Sequence, residues 1–293
     1  MASVRKRWTK QTQMDLIDLI LNLAGVLLWL SWQSIDSPSA PAVPRPNLLS
    51  TLQRTERQAP KRWLYLVALA GLLGVRALVY WYIGSAVDWA PSIHVGVVTL
   101  PFRSDYLGRM ILFSALSFGH ALGVLYLGLL LLSVVNRGAS ESDAVQRLVR
   151  RRLFGIGRWP VAVQLILPVV VGTLLWAAVQ PLFVRLGMAP PTHTNRHLWE
   201  QGVGVSLGAF FAWKWLLVGV LLLHLINSYV YLGNHPIWNY VNQTARNLLR
   251  PLAWAPIHFG KLDFAPLIGT ALVLILARLG MQGLSRLYVS LPW

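Results

Sequence analysis

Polar and ionisable residues inside apolar runs are the first place to look for chemistry, because charge in hydrocarbon is costly and is kept where it serves a purpose. Three stand out here: Arg76, Gln180 and Arg278. Each lies late in its run, within about one to two turns of one end, where a long side chain can snorkel to the interface. Lys214, early in a neighbouring run, falls on the same side. Snorkelling or hydrogen bonding between spans is therefore favoured over an ion pathway. No run is expected to offer the buried carboxylate that a proton relay needs.

The histidines are weaker candidates. His120 and His224 invite a bis-histidine haem reading. Their positions in their runs differ by roughly 13 Å in height at 1.5 Å per residue, so one haem does not reach both. Single imidazoles bonded between helices are the simpler expectation. His193 and His197, spaced i, i+4 and followed by Glu200, resemble part of a metal site, but PPTHTNRHLWE reads as a solvated loop or short helix with too few ligands. Glu141 and Asp143 suit the dipole at a helix start, and Asp263 is placed to cap the run that follows it. No nucleophile elbow, phosphate loop, zinc helix or dinucleotide fingerprint occurs, and no cysteine, so the expectation is a non-enzymatic protein with no cofactor and no catalytic or metal residues.

The elements that must hold these residues follow from composition. Of 293 residues, 55% are hydrophobic and 12% charged, with a mean hydropathy of +0.53. One aqueous core cannot hide so much apolar surface. Six runs, 16–32, 63–83, 110–135, 161–183, 205–231 and 264–281, approach the roughly 20 residues needed to cross hydrocarbon. The predicted fold is an all-α membrane protein of about six transmembrane helices. Many of the 14 tryptophans, Trp8, Trp29, Trp32, Trp63, Trp89, Trp159, Trp199, Trp238 and Trp254 among them, lie near run ends, as in an aromatic belt. The net charge of +16 is explained by the positive-inside rule and anionic headgroups, with no nucleic-acid partner required. The basic leader Arg5, Lys6, Arg7 and Lys10 resembles the start of a signal peptide, but Ala40–Pro41–Ala42 lies too far past the first run for cleavage, so a retained span is read.

Amphipathic stretches separate the runs. In His235–Leu267 the apolar Ile237, Val241, Ala245, Leu248 and Leu252 recur at helical spacing, with Asn239, Asn242, Gln243, Arg246, Asn247 and Arg250 between them. Ala144, Val145, Leu148 and Val149 recur similarly while Arg147, Arg150 and Arg151 point away, with Ser140 or Ser142 as cap. A shift of 96 positions sets Val145 on Val241, Arg150 on Arg246, Leu153 on Leu249 and Pro160 on Pro256, and Pro168 corresponds to Pro266 after a small loop adjustment. A shift of 100 relates 47–60 to 147–160 more weakly. The chain thus reads as units of span, interfacial helix, Pro-containing elbow and span, twice clearly and a third time in degenerate form.

Loop charge orients the units. Outside the spans, the three loops with surface helices carry 14 lysines and arginines against 9 on the other side, which places those loops in the cytoplasm and both termini outside. The four cations of the N-tail oppose this assignment. An odd number of spans removes the conflict, for instance with 16–32 lying on the membrane.

The sequence NHPIWNYVNQTARNLLRPL followed by GKLDFAPLI resembles the YggT family of small bacterial membrane proteins. The matching residues are Asn234 and Pro236 opening the surface helix, Arg246 on it, the Arg250–Pro251 stop, Pro256, the Gly260 to Asp263 turn and Pro266. The match covers about 60 residues well; residues 125–183 are similar to a second copy that lacks the Gly–x–x–Asp turn. On this reading 1–83 is an N-terminal membrane unit, 84–109 and 184–204 are non-cytoplasmic loops, 110–183 and 205–281 are YggT-like repeats, and 282–293 is a tail. The resemblance implies a multi-pass protein of the cell inner membrane acting as a scaffold, assembly or osmotic-homeostasis factor, with an osmotic channel or transporter component as the alternative. It implies no active site. Arg147, Arg150 and Arg151 are the expected contacts for anionic lipid or for a membrane-protein partner, a second copy of the chain included.

Overall fold

A computed structural model of the chain describes residues 2–34, 61–87, 89–138, 144–153, 155–189, 194–230, 233, 235–252, 258–259 and 262–290. Helices dominate them, and six stretches are long and apolar enough to cross a membrane: Gln13–Ser34, Arg62–Ser85, Leu107–Val135, Val161–Arg185, Asn195–Tyr229 and Ala265–Ser290. A helix satisfies every backbone hydrogen bond within its own segment, which is why sequences this apolar fold as helices in lipid. The protein is an all-α, multi-pass membrane protein.

The chain divides into two compact units. The first comprises residues 1–91 and 102–122, the second 92–101 and 123–293. In the first, α1 (Ala2–Ser34) packs along α2 (Arg62–Val87). Gly25 lets the Phe118 ring of α3 (Leu107–Val135) approach to 3.0 Å of where a Cβ would stand. One end is closed by an aromatic cluster. Trp89 meets Tyr80 at 5.0 Å and Phe113 at 5.7 Å, and Phe102 meets Phe113 at 5.3 Å between ring centroids. Trp89 is thus buried in this cluster.

The second unit holds two runs of helix, short helix and helix. The first is the end of α3, then α4 (Ala144–Arg152) and α5 (Val161–Arg185); the second is α7 (Trp213–Tyr229), α8 (Pro236–Leu249) and α9 (Ala265–Ser290). Between them α6 (Asn195–Ala209) lies along α5 and continues through a 3-10 turn, Phe210–Ala212, into α7. This 35-residue stretch is about 52 Å long at 1.5 Å per residue, well beyond the hydrocarbon thickness. The segment expected as a loop at 184–204 is therefore helical from Asn195, and α9 runs through most of the expected tail to Ser290. The tight α5–α6 approach rests on small residues: a Cβ on Gly202 would stand 2.9 Å from Thr173, and one on Gly172 2.6 Å from Ser206 Oγ.

VTLPF and its neighbours form a hairpin, β1 (Ser92–Val95) with β2 (Val98–Pro101), in which Val95 pairs with Val98 across Gly96 and Val97. Gly96 has φ +59, and its absent Cβ would stand 2.5 Å from the Val205 carbonyl oxygen. The turn therefore requires glycine for both conformation and space. A second pair, β3 (His258–Phe259) with β4 (Leu262–Asp263), precedes α9.

Candidate functional site

The two short amphipathic helices form one platform in the second unit. Residues 144–152 fold as a helix because their apolar positions repeat at helical spacing, and Gly155, with φ +86, opens the 3-10 turn Ile156–Arg158 that follows. Its buried face differs from the expected stripe. Val149 and Leu153 are buried with the fully enclosed Gln146, while Leu148 is 54% exposed. Helix α8 opens with Pro236 in its first turn, where no N–H is needed, and the His235 ring accepts from the Ile237 amide at 3.4 Å. Val149, Leu153, Tyr240 and Leu130 make one apolar cluster; Ala245, Leu221 and Val220 make another.

A buried polar network joins the platform. Tyr240 OH donates to Gln146 Oε1 at 3.0 Å, and Gln146 Nε2 donates to the Asn136 carbonyl at 3.1 Å. Asn136 Nδ2 donates to Thr244 Oγ1 at 2.6 Å, and Asn247 Nδ2 donates to Asn136 Oδ1 at 2.9 Å. Asn136, Gln146, Thr244 and Tyr240 are all at most 5% exposed, so each bond is made in place of water. Their polar faces remain outside: Arg147 and Arg151 on α4, and Asn239, Gln243, Arg246 and Arg250 along α8 and its C-cap, are exposed. Arg150 departs from the expected outward face. It is half-buried, and its Nη2 donates to the Arg137 carbonyl at 3.2 Å.

The first unit carries a second constellation. Asp18, inside the first span, receives the Arg76 Nη2 in an ion pair, and its carboxylate also accepts from Tyr80 OH at 2.9 Å, Asn22 Nδ2 at 3.0 Å and Ser117 Oγ at 3.0 Å. Arg76 Nη1 donates to Asn22 Oδ1 at 2.7 Å, and the guanidinium lies 5.4 Å from the Tyr80 ring centroid and 5.9 Å from that of Phe113. Arg76 is 1% exposed and bonds across to the first span, so of the two expectations for it hydrogen bonding between spans is met and snorkelling is not, while Asp18 keeps 21% of its side chain exposed. The reason is pairing: an arginine sealed from water is tolerable only beside its counter-charge. The signal was present in sequence, since Asp18 and Asn22, like Arg76 and Tyr80, are spaced i, i+4 on one helical face.

The remaining expected residues are dispersed. Gln180 is 3% exposed, and its Nε2 and the neighbouring Trp176 Nε1 find no partner among the described residues. Arg278 is exposed on α9, and the Lys214 ammonium sits 5.2 Å from the Trp215 ring centroid. His224 Nδ1 meets Asn242 Oδ1 at 2.8 Å, an imidazole bonded between α7 and α8. His197 pairs with Glu200 at 3.1 Å, which also takes Arg196 at 2.8 Å; His193 lies outside the described residues, and among them no group of three metal-ligating side chains occurs. Pro266 is buried in the first turn of α9, and Pro251 lies in the 3-10 turn after α8. Asn234, Pro256, Gly260, Ser140, Ser142, the whole 47–60 segment and the Asp263 side chain lie outside what the structure describes.

Fold and site together define a multi-pass helical membrane protein with a hydrogen-bonded platform at the end where α3, α4 and α8 meet. No protein-family model matches the chain, and neither the curated proteins nor the solved structures give a match.

Proposed function

We propose that this is a non-enzymatic scaffold or assembly protein of the YggT type, resident in the inner membrane, working through the α4–α8 platform on the cytoplasmic face. The observation that carries the reading is the buried join Asn136–Gln146–Tyr240–Thr244. Such a network is rigid, and rigidity spent on two surface helices suits a docking face, since a preformed surface loses less entropy on binding. The exposed Asn239 and Gln243 offer paired amide donors and acceptors to a membrane-protein partner or second copy, and the arginines face anionic headgroups. Affinity purification from native membranes tests this. Asn239→Leu with Gln243→Leu is expected to lose the membrane proteins that co-purify with wild type; recovery of the same proteins in equal amount defeats the reading.

The Asp18–Arg76 pair favours a second reading, a channel or transporter component concerned with osmotic homeostasis, because polar clusters within spans commonly mark solute paths. Proteoliposomes showing ion or solute flux that Asp18→Asn abolishes would support it; absence of flux with wild type removes it.

A further inference from the structure

The tip of the β1–β2 hairpin is seated on α6 through two glycines. A Cβ on Gly96 would stand 2.5 Å from the Val205 carbonyl oxygen, and one on Gly208 would stand 2.4 Å from the Gly96 Cα. The contact falls within one turn of Ser206, and its level can be measured on two other helices of the same unit. Ser206 Oγ is 2.6 Å from where a Cβ on Gly172 would be and 3.4 Å from Thr173 Oγ1. Gly172 lies near the middle of α5, about 17 Å from Val161 and about 20 Å from Arg185 at 1.5 Å per residue. Around it Val170, Val171, Leu174 and Leu175 are exposed, as on a face turned to lipid. Along α6 and α7, Gly208 lies about 20 Å before Leu221, which clusters with Ala245 of α8. With hydrocarbon roughly 30 Å thick, both rulers put the hairpin tip inside it.

Strand at that depth has few ways to be stable. A two-stranded sheet leaves the outward backbone groups of both strands without ladder partners, and such backbone is tolerated within a membrane only where protein covers it or water reaches it. The hairpin divides accordingly. Ile93 and Leu100, paired across the ladder, are buried at 6% and 2% exposure. On the other face Ser92, His94 and Thr99 are exposed, with His94 Nδ1 at 2.9 Å from Thr99 Oγ1. An imidazole and a hydroxyl turned to lipid would forfeit their hydration; turned to water they keep it.

The geometry points to a re-entrant hairpin: β1–β2 dips from the membrane face opposite the α4–α8 platform, and its Ser92, His94 and Thr99 face borders a water-filled recess that ends at Gly96, near mid-span. The direction follows from α3, which begins at Leu107 shortly after the hairpin and ends at Val135, next to the platform residue Asn136. A helix of 29 residues that crosses once starts at the far face. The recess admits water and small polar solutes to the middle of the bilayer, along a wall on which His94 is the titratable side chain. It does not depend on what the platform binds.

The protein contains no cysteine, so single introduced cysteines report alone. Thr99→Cys, His94→Cys and Val171→Cys, the last on the lipid face of α5 at the same level, are treated in membrane vesicles of known sidedness with a charged, membrane-impermeant methanethiosulfonate. Thiolate is the reacting form, and apolar surroundings suppress it by raising the thiol pKa, so the two hairpin cysteines are expected to react about a hundredfold faster than Val171→Cys. They are expected to react from the side at which Arg147→Cys, exposed on the platform, does not. Hairpin cysteines as slow as Val171→Cys, or reached from the platform side, overturn the recess. Fast reaction of Val171→Cys as well puts this level outside the hydrocarbon and overturns the re-entrant reading. Leu100→Cys, on the buried face, checks the seating: slow reaction supports it, and reaction as fast as at Thr99→Cys shows a hairpin not held on α6 and overturns the proposal.

Discussion

Tyr240 on α8 donates its hydroxyl to Gln146 on α4 at 3.0 Å, with both side chains buried, so two surface helices separated by 94 positions are fastened by one hydrogen bond. Removing the donor leaves Gln146 Oε1 buried without it. Tyr240→Phe is expected to destabilise the protein by about 1–3 kcal/mol, the usual cost of such an orphaned group. Thermal unfolding in detergent measures this, and an unchanged transition would show that water replaces the hydroxyl.

The Asp18–Arg76 pair predicts an asymmetry. Arg76→Gln leaves Asp18 with three neutral donors, Tyr80, Asn22 and Ser117, and partly open to solvent. Asp18→Asn strands a guanidinium that stays charged and is 1% exposed. Breaking a fully buried pair from one side costs about 3–5 kcal/mol, and with Asp18 21% exposed the cost here is expected to fall below that. Asp18→Asn is therefore expected to be the more damaging single change, and the double variant to recover part of the loss. A denaturation cycle over the four proteins checks this; equal single effects that simply add would contradict it.

Glycine at 208 is a steric requirement, because a Cβ there would stand 2.4 Å from Gly96 Cα in the hairpin turn. Backbone cannot yield as a side chain does. Gly208→Val is expected to cost more than the about 1–3 kcal/mol typical of overpacking, whereas Gly219→Ala, with nothing within 4 Å, is expected to be near neutral or stabilising. Yield and melting temperature of the two purified variants compare them directly.

Trp213 Nε1 donates to the Leu127 carbonyl at 2.9 Å, tying the start of α7 to α3 within the second unit. Trp213→Phe keeps most of the apolar contact and removes the donor. A loss of about 1 kcal/mol is expected, read from denaturant midpoints; a loss several times larger would mean that ring volume, not the bond, holds this junction.

Sequence by itself determined the class of protein and where its six long apolar helices lie, though not that helix extends over 195–204 and 282–290. Apolar length and composition are local properties, and hydrocarbon leaves a chain little choice but helix. It also marked α4 and α8, because amphipathic spacing is read along one helix at a time. Helix spacing could not say which faces meet. Leu148 belongs to the apolar stripe of α4 by periodicity yet points outward, while Gln146 points inward, because Tyr240 and the Asn136 carbonyl wait there to satisfy its amide. Arg76 looks like a residue that should reach for water until the fold sets Asp18, 58 positions earlier, beside its guanidinium. Burial of a polar group is decided by its partner, and partners far apart in sequence are supplied only by tertiary structure.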